Sequence, residues 1–118
     1  MRDHMKLRAF ELADILALEI YRATRGFPRE GLFGLTSQMR RAAVSVASNI
    51  VEGCARHTES DYLRFLDISY GSVRELEYQI SLATRLEFMS STAGLKVTDI
   101  AAETARVLNG LIRSLRRE

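Results

Sequence analysis

One cysteine, one proline, two histidines and no tryptophan deprive this 118-residue chain of several chemistries before any pattern is read. A lone Cys54 can close no intrachain disulfide and build no cysteine zinc cage, which excludes the disulfide-framed secreted modules. The longest stretch free of charge is the ten residues Ala42 to Val51, short of the roughly 20 apolar residues a membrane-crossing helix needs. The N-terminal stretch has neither an apolar h-region nor a small-residue cleavage site, so a soluble, cytoplasmic protein is expected. The length suits one domain over 1–118. A chain of this size buries somewhat over about 60% of its unfolded surface and needs no staples.

Any excess of one sign of charge is also small. Of 17 basic residues, 15 are arginine, yet the formal net charge is only +2. Residues 37–57 carry three Arg against one Glu, whereas residues 58–87 carry three Arg against six acids. No segment has the large basic excess of a dedicated nucleic-acid binder. The pattern suits adjacent elements of opposite sign, with a basic patch of Arg113, Arg116 and Arg117 at the end.

What is abundant is helical periodicity. Breakers gather in Gly26 to Gly34, near Arg56-His57 and near Phe88 to Ser90, leaving four helical segments at about 6–24, 37–56, 59–86 and 91–115. No sustained period-two alternation predicts a strand. In helix 1 the stripe Phe10, Ala13, Leu16, Ala17 and Ile20 faces the core, and Leu12, Ile15 and Leu18 form an apolar surplus. Thr36 or Ser37 is the expected N-cap of helix 2. There Met39, Ala42, Ala43, Val46, Ala47, Ile50 and Cys54 share one arc, and Arg41, Ser45, Asn49, Glu52 and Arg56 share a narrow polar one. Helix 3 opens on the capping box Thr58-Glu59-Ser60-Asp61. Its core stripe runs through Tyr62, Phe65, Ser69, Val73, Leu76, Ile80 and Ala83. On the opposite face, Arg64, Ile68, Gly71, Glu75, Tyr78 and Leu82 mix apolar, small and charged residues, a composition expected of a contact surface. Helix 4, beginning near Ser90 or Ser91, turns Val97, Ile100, Ala101, Thr104, Leu108, Leu111, Ile112 and Leu115 inward. Short connections between helices 2, 3 and 4 predict an all-α, antiparallel up-down four-helix bundle.

A bundle invites a di-iron carboxylate site, which requires Glu-x-x-His pairs. None occurs, and His4 and His57 fall at a loose end and in a turn. Cys54 sits on an apolar arc, where a thiol acts as a small hydrophobe. No glycine-rich phosphate loop is present. Neither catalysis, a cofactor nor a metal is therefore expected. Arg41, Ser45, Asn49, Glu52, Arg56 and Glu75 are expected to form a packed polar cluster in which Glu52 partners Arg41. The competing reading makes Arg41 and Arg56 contacts to phosphate or to a partner, and a merely solvated stripe is the third.

The run Leu35-Thr36-Ser37-Gln38-Met39-Arg40-Arg41-Ala42-Ala43-Val44-Ser45-Val46-Ala47-Ser48-Asn49-Ile50-Val51-Glu52-Gly53 resembles a known family. So do Tyr62-Leu63-Arg64-Phe65-Leu66 and Tyr70-Gly71-Ser72-Val73-Arg74-Glu75-Leu76-Glu77. These are the four-helix-bundle proteins first noticed as reading frames in intervening sequences of bacterial 23S ribosomal RNA genes. The resemblance implies a homopentamer related to the accessory protein of diversity-generating retroelements, which binds a reverse transcriptase. It also implies structural or interface roles for Arg41, Asn49, Glu52, Gly53, Arg64, Gly71 and Glu75.

Two functions are expected on this basis. The first is a non-catalytic assembly or accessory scaffold that joins copies of itself through Arg64, Ile68, Gly71, Tyr78 and Leu82. The alternative is an RNA- or DNA-binding module that gathers Arg113, Arg116 and Arg117 around a ring.

Overall fold

The computed structural model describes residues 2–29 and 34–117. A 3-10 turn at His4–Lys6 leads into α1 (Arg8–Ala23), α2 (Leu35–Cys54), α3 (Glu59–Arg85) and α4 (Ser91–Arg116). Among the described residues there is no strand. The connection expected from Gly26 to Gly34 lies partly outside the described residues.

Each boundary has a local cause. Thr58 caps α3 by accepting the Asp61 amide at 3.1 Å, and Ser90 caps α4 by accepting the Ala93 amide at 3.1 Å. Such caps satisfy amides that have no acceptor inside the helix. α2 differs. It begins at Leu35 with Gly34 as N-cap and no side-chain cap. Thr36 and Ser37 therefore lie inside the first turn and do not cap it, which corrects the expected start.

Neighbours meet in the cyclic order α1–α2–α3–α4–α1, while the diagonal pairs are too far apart for backbone contact. The result is a slender body of 45 × 23 × 19 Å. Leu16 and Ile20 of α1, Met39, Val46 and Ile50 of α2, Leu66, Val73, Leu76 and Ile80 of α3, and Val97 and Leu108 of α4 fill the centre. At about 25 cal/mol per Å² of apolar surface removed from water, this interior drives folding. Leu12 belongs to the core as well and is not part of an outer surplus.

Two glycines let helices approach closely. A Cβ on Gly53 would stand 3.0 Å from Phe65 Cβ and 3.3 Å from the Tyr62 carbonyl oxygen, at the α2–α3 crossing. One on Gly94 would stand 2.6 Å from Thr84 Oγ1, at the α3–α4 crossing. Ser69 fastens α3 to α2 by donating its buried hydroxyl to the Val46 carbonyl at 2.7 Å.

The N-terminal end is tied down rather than loose. Asp3 accepts the Met5 amide at 3.0 Å, and His4 stacks edge-on against Phe10. Arg2 donates to the Arg56 carbonyl at 3.0 Å and lies over the Tyr62 ring, 4.1 Å from its centroid. Arginine thus closes the end of the bundle where α2 passes into α3.

Candidate functional surfaces

The six polar residues assigned to one cluster divide into separate groups. Ser45 meets Ser72 of α3 with their hydroxyl oxygens 2.8 Å apart. Asn49 donates to the Ser45 carbonyl at 2.8 Å and to its hydroxyl at 2.9 Å. This half-buried seam couples α2 to α3. Glu52 instead pairs with Arg56 at 3.2 Å on the exposed side of α2, where Arg56 also covers the Phe65 ring. Glu75 accepts from the buried Gln79 amide at 3.2 Å. Arg41 is exposed and, among the described residues, makes no ion pair. It stands about three turns from Glu52 on one helix, some 16 Å along the axis at ~1.5 Å per residue, so the expected Arg41–Glu52 pair does not form.

Glu52→Ala is therefore expected to change the unfolding free energy by less than about 1 kcal/mol, as for an exposed pair. A broken buried pair would cost several times more. Urea denaturation distinguishes the two.

The outer face of α3 lies where periodicity placed it. Arg64, Gly71 and Glu75 are exposed, and Leu82 is half-buried. Ile68 is 43% exposed, Tyr78 61% and Leu86, just beyond the helix end, 50%. A Cβ on Gly71 would meet nothing within 4 Å, so the position is open in the protomer. On the far side of the bundle, Leu18 of α1 is 51% exposed, near the exposed Tyr21 and the exposed Val44 of α2.

The three C-terminal arginines do not act alike. Arg116 reaches back to α3, holding the Asp67 carboxylate through both terminal nitrogens, one of them at 3.1 Å. Arg113 and Arg117 are exposed and make no ion pair among the described residues. With Asn109, Gly110 and Ser114 they border an open cleft of about 500 Å³. Arg116 is thus part of the fold, so a change at all three positions would also sever an α3–α4 tie.

Cys54 is fully buried against Tyr62. Burial pushes its thiol up, away from the thiolate, and pushes the Tyr62 phenol up to about 12. A thiol held protonated in an apolar setting is a poor nucleophile. The folded protein is expected to resist a thiol reagent at pH 8, and denaturant should release one reactive equivalent. Rapid labelling of the native state would contradict this burial. Among the described residues no three His, Cys, Asp or Glu side chains gather as metal ligands. No helix among them is long and apolar enough to cross a membrane.

Sequence reasoning missed Arg40, which lies off the polar stripe on the α1 side of α2. Its Nε donates to Thr24 Oγ1 at 2.9 Å, and its guanidinium lies 4.6 Å from the Tyr21 ring centroid. Its position among the small residues of the α1-facing arc was the available signal. A long cation fits between helices only where a neighbour offers an acceptor and an aromatic face.

The family model of the 23S rRNA-intervening sequence protein matches residues 5–110. The chain belongs to this family. The match takes in α1, α2 and α3 entire and most of α4 of this family member, and ends before Arg113, Arg116 and Arg117. The fold is similar to that of a protein of unknown function from the S23 ribosomal protein family of Bacteroides thetaiotaomicron VPI-5482. That crystal structure superposes with a TM-score of 0.82 at 21% identity, covering 89% of this chain and 95% of the other. No curated protein matches the chain.

Proposed function

We propose that this 23S rRNA-intervening sequence family member is a non-catalytic assembly or accessory protein that works as a cyclic homo-oligomer. The observation that carries the reading is the stripe Ile68, Gly71, Tyr78 and Leu82, continued by Leu86. It follows one side of α3 for about 27 Å at ~1.5 Å per residue. Apolar surface of that extent, flanked by Arg64 and Glu75, is the composition of an interface. The exposed Ile15 and Leu18 of α1 on the far side supply a second, different face, and two unlike faces joined head to tail close into a ring when the rotation between subunits permits. The number five comes from the family resemblance alone.

An up-down course of the helices underlies this reading. Val46 and Ser45 meet Ser69 and Ser72, while the later Gly53 meets the earlier Tyr62. Thr84 meets Gly94 as Asp67 meets Arg116. Rising numbers on one helix against falling numbers on the next are the signature of antiparallel neighbours.

Light scattering at tens of micromolar protein tests the proposal. A mass several times that of the 13.3 kDa chain is expected, and a monomer at that concentration would overturn it. The second reading, RNA or DNA binding from the ring's basic rim, draws on the exposed Arg113 and Arg117. Such binding would be phosphate-directed, cooperative with assembly and steeply weakened by salt. Failure of the assembled protein to retain structured RNA at low salt would favour a protein partner, such as a reverse transcriptase, for the accessory role.

A further inference from the structure

The first two turns of α2 and the end of α1 enclose a cleft of about 390 Å³, lined by Tyr21, Thr36, Ser37, Arg40, Arg41 and Val44. We propose that this cleft binds a phosphate monoester, the terminal phosphate of a small metabolite such as a nucleoside monophosphate. Three independent features of the cleft support it.

The first is an unpartnered buried donor. Thr36 is 2% exposed, and its Oγ1 has no hydrogen-bond partner among the described residues. Deeper in a helix, a threonine hydroxyl commonly donates to the carbonyl four residues earlier, as Thr24, Thr84 and Thr104 do here. In the first turn no carbonyl of α2 itself lies four residues back, so the helix offers no such outlet. A buried hydroxyl left without a partner is costly, and a ligand oxygen would satisfy it.

The second is the bare end of α2. Gly34 supplies no side-chain cap, so the first-turn amides of Leu35, Thr36 and Ser37 have no acceptor within the helix. The cleft takes in Thr36 and Ser37 of that first turn, close to the positive end of the helix dipole, which favours anions.

The third is charge without compensation. Arg40 is pre-oriented, because Thr24 holds its Nε and the Tyr21 ring supports its plane. Its Nη2 reaches the Tyr21 carbonyl only at 3.4 Å, which leaves terminal donors for a ligand. Arg41, one residue on, is exposed and makes no ion pair among the described residues. Among the described residues no carboxylate lines the cleft, and Glu75 borders an adjoining cleft that Arg41 also lines. Two guanidiniums, two hydroxyls and a helix end can all donate, which suits a dianion with three terminal oxygens. A diester, with one charge and two free oxygens, would leave part of this set idle. The site is separate from the α3 stripe and from the C-terminal arginines.

The test is titration of the full chain at low ionic strength with inorganic phosphate, adenosine 5′-monophosphate and adenosine. The first two are followed by calorimetry and by the backbone amide resonances of Thr36 and Ser37. Both phosphates are expected to bind and to move those resonances, and adenosine is expected to do neither. Arg41→Gln should weaken binding at least about tenfold while leaving the unliganded melting temperature unchanged. Thr36→Val should weaken binding several-fold while keeping or raising that temperature, since it removes an unpaired buried hydroxyl. Absence of binding at millimolar phosphate, or full affinity in either variant, would overturn the proposal. So would tighter capture, through Arg41, of an oligonucleotide lacking a terminal phosphate.

Discussion

Replacing Ile68 and Tyr78 together with glutamate is expected to leave a folded protein that sediments as a monomer. Both side chains stand outside the bundle core, at 43% and 61% exposure, so the protomer loses little when they become polar. Across an interface the change is severe. Truncating a central aromatic anchor commonly costs 2 kcal/mol or more, and placing two unpaired carboxylates against apolar surface adds desolvation. A change of about 4 kcal/mol or more at one contact raises its dissociation constant roughly a thousandfold. Because a ring repeats that contact at every subunit, the assembly should fall apart as a whole. Circular dichroism unchanged from the native protein, with a sedimentation coefficient of a single chain, is the expected pair of observations. A double variant that keeps the native oligomeric mass would move the interface away from α3. Gly71 offers a finer probe: its Cβ position is open in the protomer, so Gly71→Leu should affect assembly far more than folding.

The second large effect concerns the crossing of α3 and α4. Gly94→Ala is expected to destabilise the protein by about 1–3 kcal/mol, through overpacking. Two effects compete at this site. Exchanging Gly for Ala inside a helix by itself gains about 1 kcal/mol. The new methyl, however, would stand 2.6 Å from Thr84 Oγ1 and 3.3 Å from Thr84 Cγ2. The Thr84 hydroxyl is engaged with the Ile80 carbonyl at 2.9 Å, so it cannot turn away without losing that bond. The clash wins. Thr84→Ala should remove it, and the double variant should recover most of the lost stability. A coupling energy of about 0.5–3 kcal/mol between the two positions is expected from such a cycle. Gly110→Ala, where a Cβ meets nothing within 4 Å, is the control and should be neutral or stabilising. Calorimetric melting of the native chain, the two single variants, the double variant and the Gly110→Ala control decides it. Equal stability of Gly94→Ala and the native chain would show that α3 and α4 are not in this register.

Periodicity made the interior legible. The stripes of α2, α3 and α4 expected to face inward are buried or half-buried at every position, because a 3.6-residue period and a single apolar interior leave one consistent orientation. The outer α3 stripe was legible for the complementary reason: Ile68, Tyr78 and Leu82 recur on one side where solvent alone would select polar residues. Leu12 was misassigned because α1 is apolar on more than one side, and a helical wheel does not say which side has the neighbour. The start of α2 was misplaced because Ser and Thr are strong caps by propensity, and the helix nevertheless begins at Leu35 without one.

The polar residues divide along the same line. That Ser45 and Asn49 share an arc follows from numbering, and their link through Ser72 needed only α3 beside α2. The partner of Arg41 was a question of distance, and rise along one helix already placed Glu52 too far away. What numbering could not reveal is a contact between residues distant in sequence. Arg2 over Tyr62, Arg40 with Thr24 and Tyr21, and Arg116 with Asp67 each join segments whose separation is fixed only when four helices pack together. The sequence by itself determined four amphipathic helices, their inward faces, a bundle fold and an inert cysteine, since these depend on local period and burial. Only the tertiary structure decided which arginines are spent on the fold, as Arg2, Arg40 and Arg116 are, and which make no ion pair among the described residues, as Arg41, Arg113 and Arg117 do. Pairing of long side chains is set by distances between helices, and no local pattern encodes those distances.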